Sequence, residues 1–261
     1  MERNCPYIGV TGFMEKREVE SFLTAVSRPF FTAFPTSFPT RELMIGVLAS
    51  QKTLLGQSHK RPNRYPSMER LGDIFVSHPA VLNLVHYNSK DMTTLVEQLR
   101  EITYLAGPRL HGFQLNMAWP IPEILAEIKA DLKKTIVLQI GGHALELVDH
   151  SPKRLHNRLF RYGCIGSVDH VLLDASGGLG RLLEPDRLRD YLSVLQDLPF
   201  SFGVAGGLSP TTLSQLEPLI EEFPRLSIDA EGRLRDKDDN LDLVKAEQYV
   251  LEALRIFSFK K

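Results

Sequence analysis

Eight short runs rich in aliphatic and β-branched residues, each followed by a stretch with helical apolar spacing, succeed one another along the chain. That regular alternation predicts strands over 7–11, 43–49, 81–87, 112–116, 135–140, 170–174, 201–205 and 226–229. It predicts helices over 15–26, 68–76, 91–105, 120–133, 152–162, 185–195, 210–221 and 241–256. Strands alternating with helices imply a parallel sheet, because each parallel pair needs a crossover connection. TIVLQI and HVLLD are almost continuously apolar, as strands buried on both faces are. A single (β/α)8 barrel, the TIM-barrel form of the α/β class, satisfies the pattern, and 261 residues is close to its usual size. The rival is a doubly wound open sheet, whose dinucleotide-binding form carries GxGxxG after the first strand, and none is present here.

Helix starts carry matching signals. Ser209 precedes Pro210 and Ser151 precedes Pro152, each an N-cap before a proline in the first turn. Ser89 with Asp91 opens the third helix. Hydrophobic residues make up 43% and charged residues 24%, enough for a core that needs no disulfide or metal. Cys5 and Cys164 are the two cysteines, so a reducing compartment is expected and the protein is read as cytoplasmic. No Cys/His cluster has zinc-ligand spacing, and no metal or other cofactor is implied. The opening MERNCPYIGVTGF is not expected to be a secretory leader, and no apolar run approaches a membrane span. A formal net charge of -1 without a basic block argues against nucleic acid as the main partner. A monomer and a homodimer are both compatible with the sequence.

Two segments exceed a minimal barrel, near 28–41 and near 54–66. The first lies after helix one on the bottom face and reads as structural. The second, LLGQSHKRPNRYP, follows strand two on the face where such barrels do their chemistry. It is either a lid or substrate loop, or a solvated insertion. Its His59, Lys60, Arg61 and Arg64 either meet an anionic ligand or form a solvated face.

Residues that close the strands face a barrel's active site. The candidates are Thr11, Ser50, Lys52, His86, Asn88, Gln114, Asn116, His143, Asp174, Gly206, Gly207, Asp229 and Glu231. In VAGGLSP two glycines stand directly before an expected helix start, an arrangement in which backbone N–H groups and the helix dipole hold an anion. The plain alternative is a tight turn that needs glycine for its dihedrals. In LLDASGGLGR, Asp174 closes an apolar strand and Gly177, Gly178 and Gly180 follow. Partial desolvation there raises a carboxyl toward the range of a general acid, whereas the alternative is an Asp that caps the next turn. His86 and His143 are either bases or ordinary core and loop histidines. Trp119 either stacks on a planar substrate or packs the start of helix four.

LLDASGGLG, VAGGLSP and SIDAEG, in that order, resemble the closing third of phosphoribosylanthranilate isomerase. That family has LLD with a later GGTG, then AGGL followed by N-P, then D-V-S-S-G. More loosely, IGVTGF is similar to its opening K-I-C-G, GFQLN to its V-Q-L-H-G, and LVHYN to its third strand, which also ends in Asn. The resemblance implies a (β/α)8 fold, a phosphorylated ribose as ligand and an Amadori rearrangement of tryptophan biosynthesis. It puts Asp174 at the general acid and Gly206, Gly207 and Gly232 in the phosphate loops, with Gly178, Gly180 and Arg233 counted in that set. Gln114, Asn116, Asn88, Lys52 and Asp229 then line the substrate. Thr11 falls at the family's cysteine base, and a threonine hydroxyl is too basic as an anion to replace a thiolate without a strong partner. His86 and His143 are the alternative bases. The arginine that engages the anthranilate carboxylate has no clear counterpart, with Leu55 at its counted position and Lys52 or Arg61 as substitutes. AEG replaces the paired serines, and Glu231 would repel a phosphate unless Arg233 or Arg235 compensates.

The expectation is therefore an isomerase acting by acid/base chemistry on a small phosphorylated sugar or phosphoribosyl-amine. Two rivals stand beside it: a lyase or epimerase with the same phosphate site, and a non-catalytic phosphosugar-binding or regulatory protein.

Overall fold

The structure, a computed structural model, describes residues 4–35, 40–174 and 184–258. Eight parallel strands close into one barrel in chain order: β1 Tyr7–Thr11, β2 Glu42–Ser50, β3 Val81–Asn88, β4 Gly112–Leu115, β5 Thr135–Ile140, β6 His170–Asp174, β7 Ser201–Ala205 and β8 Ser227–Ala230. The ring is closed by β1 against β8 through three residue pairs, Ile8↔Ile228, Gly9↔Asp229 and Val10↔Ala230. The chain is thus a (β/α)8 barrel, with helices on the outer faces of the strands.

Strand residues alternate in direction. Tyr7, Met44, Leu82, Leu84, Val137, Leu172 and Ala205 form a compact inner cluster inside the ring. Ile8, Val10, Ile45, Val85, Phe113, Leu138, Leu173 and Val204 face outward into the larger core shared with the helices. The parity that sends Tyr7 and Leu172 inward also turns Thr11, His86, Gln114, Gln139, Asp174 and Asp229 toward the axis near the strand ends. Gly46 makes this possible at β2, because a Cβ there would overlap the Thr11 side chain.

The outer helices are α1 Lys16–Ala33, α2 Gln51–Leu54, α3 Leu71–Ile74, α4 Leu95–Ala106, α5 Pro122–Leu132, α6 Gly142–Glu146, α7 Pro152–Ile165, α8 Pro185–Leu195, α9 Glu217–Glu222 and α10 Leu243–Ser258. Helix α1 departs from the expected 15–26. It begins with a reciprocal cap between Glu15 and Glu18 and buries Val19, Phe22, Val26 and Phe30. This stripe carries it through Pro29, so part of the presumed insertion at 28–41 is helix. The expected helix over 68–76 is instead a 3-10 turn, Met68–Arg70, followed by the single turn α3. The one over 210–221 is a 3-10 turn, Leu213–Leu216, followed by α9. Ser151 does cap α7, accepting a bond from the Arg154 N–H at 3.4 Å.

Candidate functional site

A chain of buried side chains crosses the barrel mouth. Thr11 Oγ1 donates to both Asp229 oxygens, at 3.0 and 3.3 Å. Gln114 Nε2 donates to Asp229 Oδ2 at 3.0 Å and to Gln139 Oε1 at 3.1 Å. Gln139 Nε2 donates to Asp174 Oδ2 at 2.9 Å. His86 Nδ1 lies 3.4 Å from Gln114 Nε2. The two carboxyls are therefore joined through two amides, each amide aiming a donor at one of them. Burial pushes the Asp229 carboxyl up to about 7, with Glu231 and Asp174 adding to the rise and the bonds from Gln114 and Thr11 opposing it. Burial lowers the pKa of His86, leaving its imidazole neutral more readily.

Beside this chain is a cleft enclosing about 500 Å³, its open mouth included. Asp174, Asp229, His86 and Gln139 line it, together with Gly206, Gly207, Glu231, Gly232, Arg233 and Arg64. Gly206 and Gly207 both have positive φ, 93° and 69°, in the left-handed region open to glycine. Consecutive N–H groups in such turns form concave anion-binding surfaces. The helix dipole expected behind them is absent as drawn from the sequence, because residues 210–212 form turns before the 3-10 turn begins. After β8, Gly232–Leu234 makes a second 3-10 turn.

The long segment after β2 crosses to this corner. Arg64 donates to Glu231 Oε1 at 2.8 Å and clasps Asp239 through Nε at 2.7 Å and Nη2 at 2.5 Å. Asn63 Nδ2 donates to the Asp238 carbonyl at 2.9 Å. Arg235 Nη2 reaches Glu231 Oε1 at 3.3 Å, and its Nη1 donates to the Asp239 carbonyl at 2.8 Å. Glu231 is therefore held by two arginines. Arg64 and Arg235 are thus paired with Glu231 and Asp239, while Arg233 lines the cleft beside Asp174, Asp229 and Glu231. Hydrogen bonding from Arg64 holds the Asp239 carboxyl below its usual range, whereas burial lowers the pKa of Arg235.

On the other side of Asp174 and Gln139 a second cleft of about 1030 Å³, open mouth included, is lined by Asn88, Lys90, Asn116, Gly141 and His143. Asn88 Nδ2 donates to the Asn116 carbonyl. His143 is largely exposed, 3.4 Å from Glu146. Lys52 is an exposed residue of α2 that lines neither cleft. Trp119 is buried, gives its indole N–H to the Ala144 carbonyl of α6 at 3.0 Å and lies against Tyr162 and Arg158 of α7, so it is a packing residue between the β4 end and these helices. Gly178 and Gly180 lie outside the described residues. Among the described residues no group of three or more His, Cys, Asp or Glu side chains is arranged to hold a metal ion. None of the described helices is long and apolar enough to cross a membrane.

Sequence reasoning passed over Gln139, although its inward parity within 135–140 was readable. Arg64, expected either to meet an anionic ligand or to form part of a solvated face, instead pairs with Glu231 and Asp239, and nothing local in the sequence signals these partners.

No family model and no curated protein matches the chain. Solved structures do match. A monomeric form of the dimeric phosphoribosylanthranilate isomerase from Thermotoga maritima superposes with a TM-score of 0.59 at 15% identity, over 97% of this chain and 98% of that one. Tryptophan synthase from M. tuberculosis, in its aminoacrylate-bound form, gives 0.52 at 13% identity, over 96% and 93%. The carboxyl transferase domain of Rhizobium etli pyruvate carboxylase gives 0.55 at 12% identity, over 98% of this chain and 48% of that one. These likenesses establish the barrel fold.

Proposed function

We propose that the protein is an isomerase of small phosphorylated sugars or phosphoribosyl-amines, similar in its chemistry to phosphoribosylanthranilate isomerase. The observation that carries this reading is the pair of left-handed glycines, Gly206 and Gly207, in one cleft with Asp174 and the arginine-rich β8 loop. The phosphate would sit between the β7 turn and Gly232–Arg233, taking its hydrogen bonds from backbone N–H groups of the glycine turns, with Arg64 and Arg235 offsetting Glu231. The sugar then extends along the mouth past Asp174. Asp174 gives a proton to the ring oxygen as the C1–O bond breaks, and Gln139 keeps that carboxyl oriented. Asn88 and Asn116 offer hydrogen bonds to the far end of the ligand from the second cleft. Lyase or epimerase chemistry would use the same corner, and the identity of the product separates these outcomes.

Calorimetry and thermal denaturation with inorganic phosphate, ribose 5-phosphate and ribose test the reading. Phosphate at ten times its Kd should stabilise the protein by about 1.4 kcal/mol, or about 3–6 °C in Tm. Ribose should do nothing. Gly207→Val places a β-branched residue at positive φ and should abolish phosphate binding, at a cost of about 1–2 kcal/mol in stability. Unchanged phosphate affinity in that variant, or no binding by the wild type, refutes the phosphate site.

A further inference from the structure

We infer that Asp229 is the group that takes the proton from the sugar C2, and that Thr11 is a positioning residue acting through it. The inference rests on the isomerase reading above and supplies the base which that reading lacks.

Three observations carry it. First, Thr11 stands at the end of β1, the place the resemblance gives to a base, yet it is fully buried and its hydroxyl donates to Asp229. Its proton is directed at a carboxyl and away from the cleft, so it stabilises an anion on Asp229 and accepts nothing from a ligand. Second, β8 is the neighbour of β1 across the barrel's closing seam, with Gly9 paired to Asp229. The Asp229 carboxyl therefore lies one hydrogen bond from the position that Thr11 occupies, and it lines the cleft that Asp174 also lines. Third, Asp229 forms no ion pair among the described residues. The groups around it are Asp174 and Glu231 at the mouth, His86 across Gln114, the Tyr7 hydroxyl from β1 and the Tyr249 hydroxyl from α10. Burial, with a smaller push from the two acidic neighbours, brings its ionisation to about 7. A base that changes state near neutral pH combines adequate proton affinity with a substantial ionised fraction.

The step balances without a further reactant. Asp174 protonates the ring oxygen, the C1–O bond breaks, and C1 becomes doubly bonded to its substituent nitrogen or oxygen. The ionised Asp229 takes the C2 proton, and the C2–H electron pair becomes a C1=C2 double bond. The former C1 double-bond pair returns to the nitrogen or oxygen. Proton transfer from the C2 hydroxyl to C1 then yields the ketose.

The test is exchange of the C2 proton of ribose 5-phosphate and arabinose 5-phosphate with D2O, followed by NMR over a range of pH. Phosphate affinity is measured in parallel by calorimetry. Asp229→Asn should slow exchange by about 10²–10⁴-fold while leaving the Kd for inorganic phosphate within about twofold. Thr11→Val removes a donor to the ionised carboxyl, so the midpoint of the pH–rate profile should rise by about one pH unit, and Thr11→Ser should restore it. Exchange that survives Asp229→Asn within a few-fold overturns the role of Asp229. A Thr11→Val protein that is slower at an unmoved midpoint overturns the role of Thr11. Should Asp229→Asn fail to fold, the Thr11 pair decides by the same midpoint. A wild type that binds phosphate yet exchanges neither probe ends the isomerase reading, and the base with it. A wild type that binds no phosphate ends the phosphate site alone if exchange persists.

Discussion

Replacing Asp229 with asparagine should make the protein more stable, increasingly so as pH rises. Asp229 is 4% exposed, and burial lifts its carboxyl from the ordinary 3.8 to about 7. In the unfolded chain the group ionises near 3.8, so between that pH and about 7 the folded protein keeps a proton that the unfolded chain has lost. Stability from this residue is complete below pH 3.8 and declines until pH passes 7. The window spans about three pH units at about 1.4 kcal/mol each, or about 4 kcal/mol in all. Asparagine is isosteric and cannot ionise, so Asp229→Asn should match the wild type within about 1 kcal/mol near pH 4 and exceed it by about 4 kcal/mol near pH 8. Glu42, which burial raises to about 7, adds a similar slope to both proteins and cancels in the difference. Urea unfolding at a series of pH values measures that difference directly. A gap that stays flat from pH 4 to pH 8 would show that Asp229 ionises freely in the fold, and the neutral-pH base would go with it.

Glu231→Gln removes the anion from the phosphate corner and leaves Arg64 and Arg235 without their shared carboxylate. Affinity for inorganic phosphate should rise about fivefold, roughly 1 kcal/mol, and the gain should shrink with added salt in calorimetry. Gly46→Ala drives a methyl into the backbone and side chain of Thr11, so unfolding should cost about 1–3 kcal/mol less than in the wild type. The same substitution should move the Asp229 titration upward in carbon-detected NMR of the carboxyl groups, because the Thr11 bond is displaced.

Strands buried on both faces are legible from composition, each of the eight lying within one residue of the bounds the pattern predicts. The strands at 7–11, 135–140, 170–174 and 201–205 and the helix at 185–195 have the bounds the pattern predicts. Local chemistry defeated the pattern elsewhere. The Asp91 carboxylate accepts from Thr93 N at 2.9 Å, Thr93 Oγ1 at 2.5 Å and Thr94 Oγ1 at 2.8 Å, which holds a turn and delays α4 to Leu95. Pro218 cannot donate within 210–221, so the segment breaks and α9 restarts with that proline in its first turn. Position at the strand ends marked Asp174, Gln114, His86 and Asp229 as candidates, and two-residue alternation along the strands turns all four toward the axis. It could not say that Thr11 donates to a carboxyl 218 residues away, nor that Arg64 reaches Glu231 across 167 residues. Such partners are set by ring closure, which leaves no local trace in the chain.

The strap from the β2 segment to the β8 loop spans the place where the first and last strands meet, a junction of only three residue pairs. Guanidinium, glutamate, threonine and aspartate can come together only once the two ends of the polypeptide have found each other. A chain stalled with seven strands joined would hold most of its apolar interior but neither the Asp229 carboxyl's setting nor the gripped Glu231. Competence at the mouth thus depends on that junction, and parting it would separate Thr11 from Asp229 and Arg64 from Glu231.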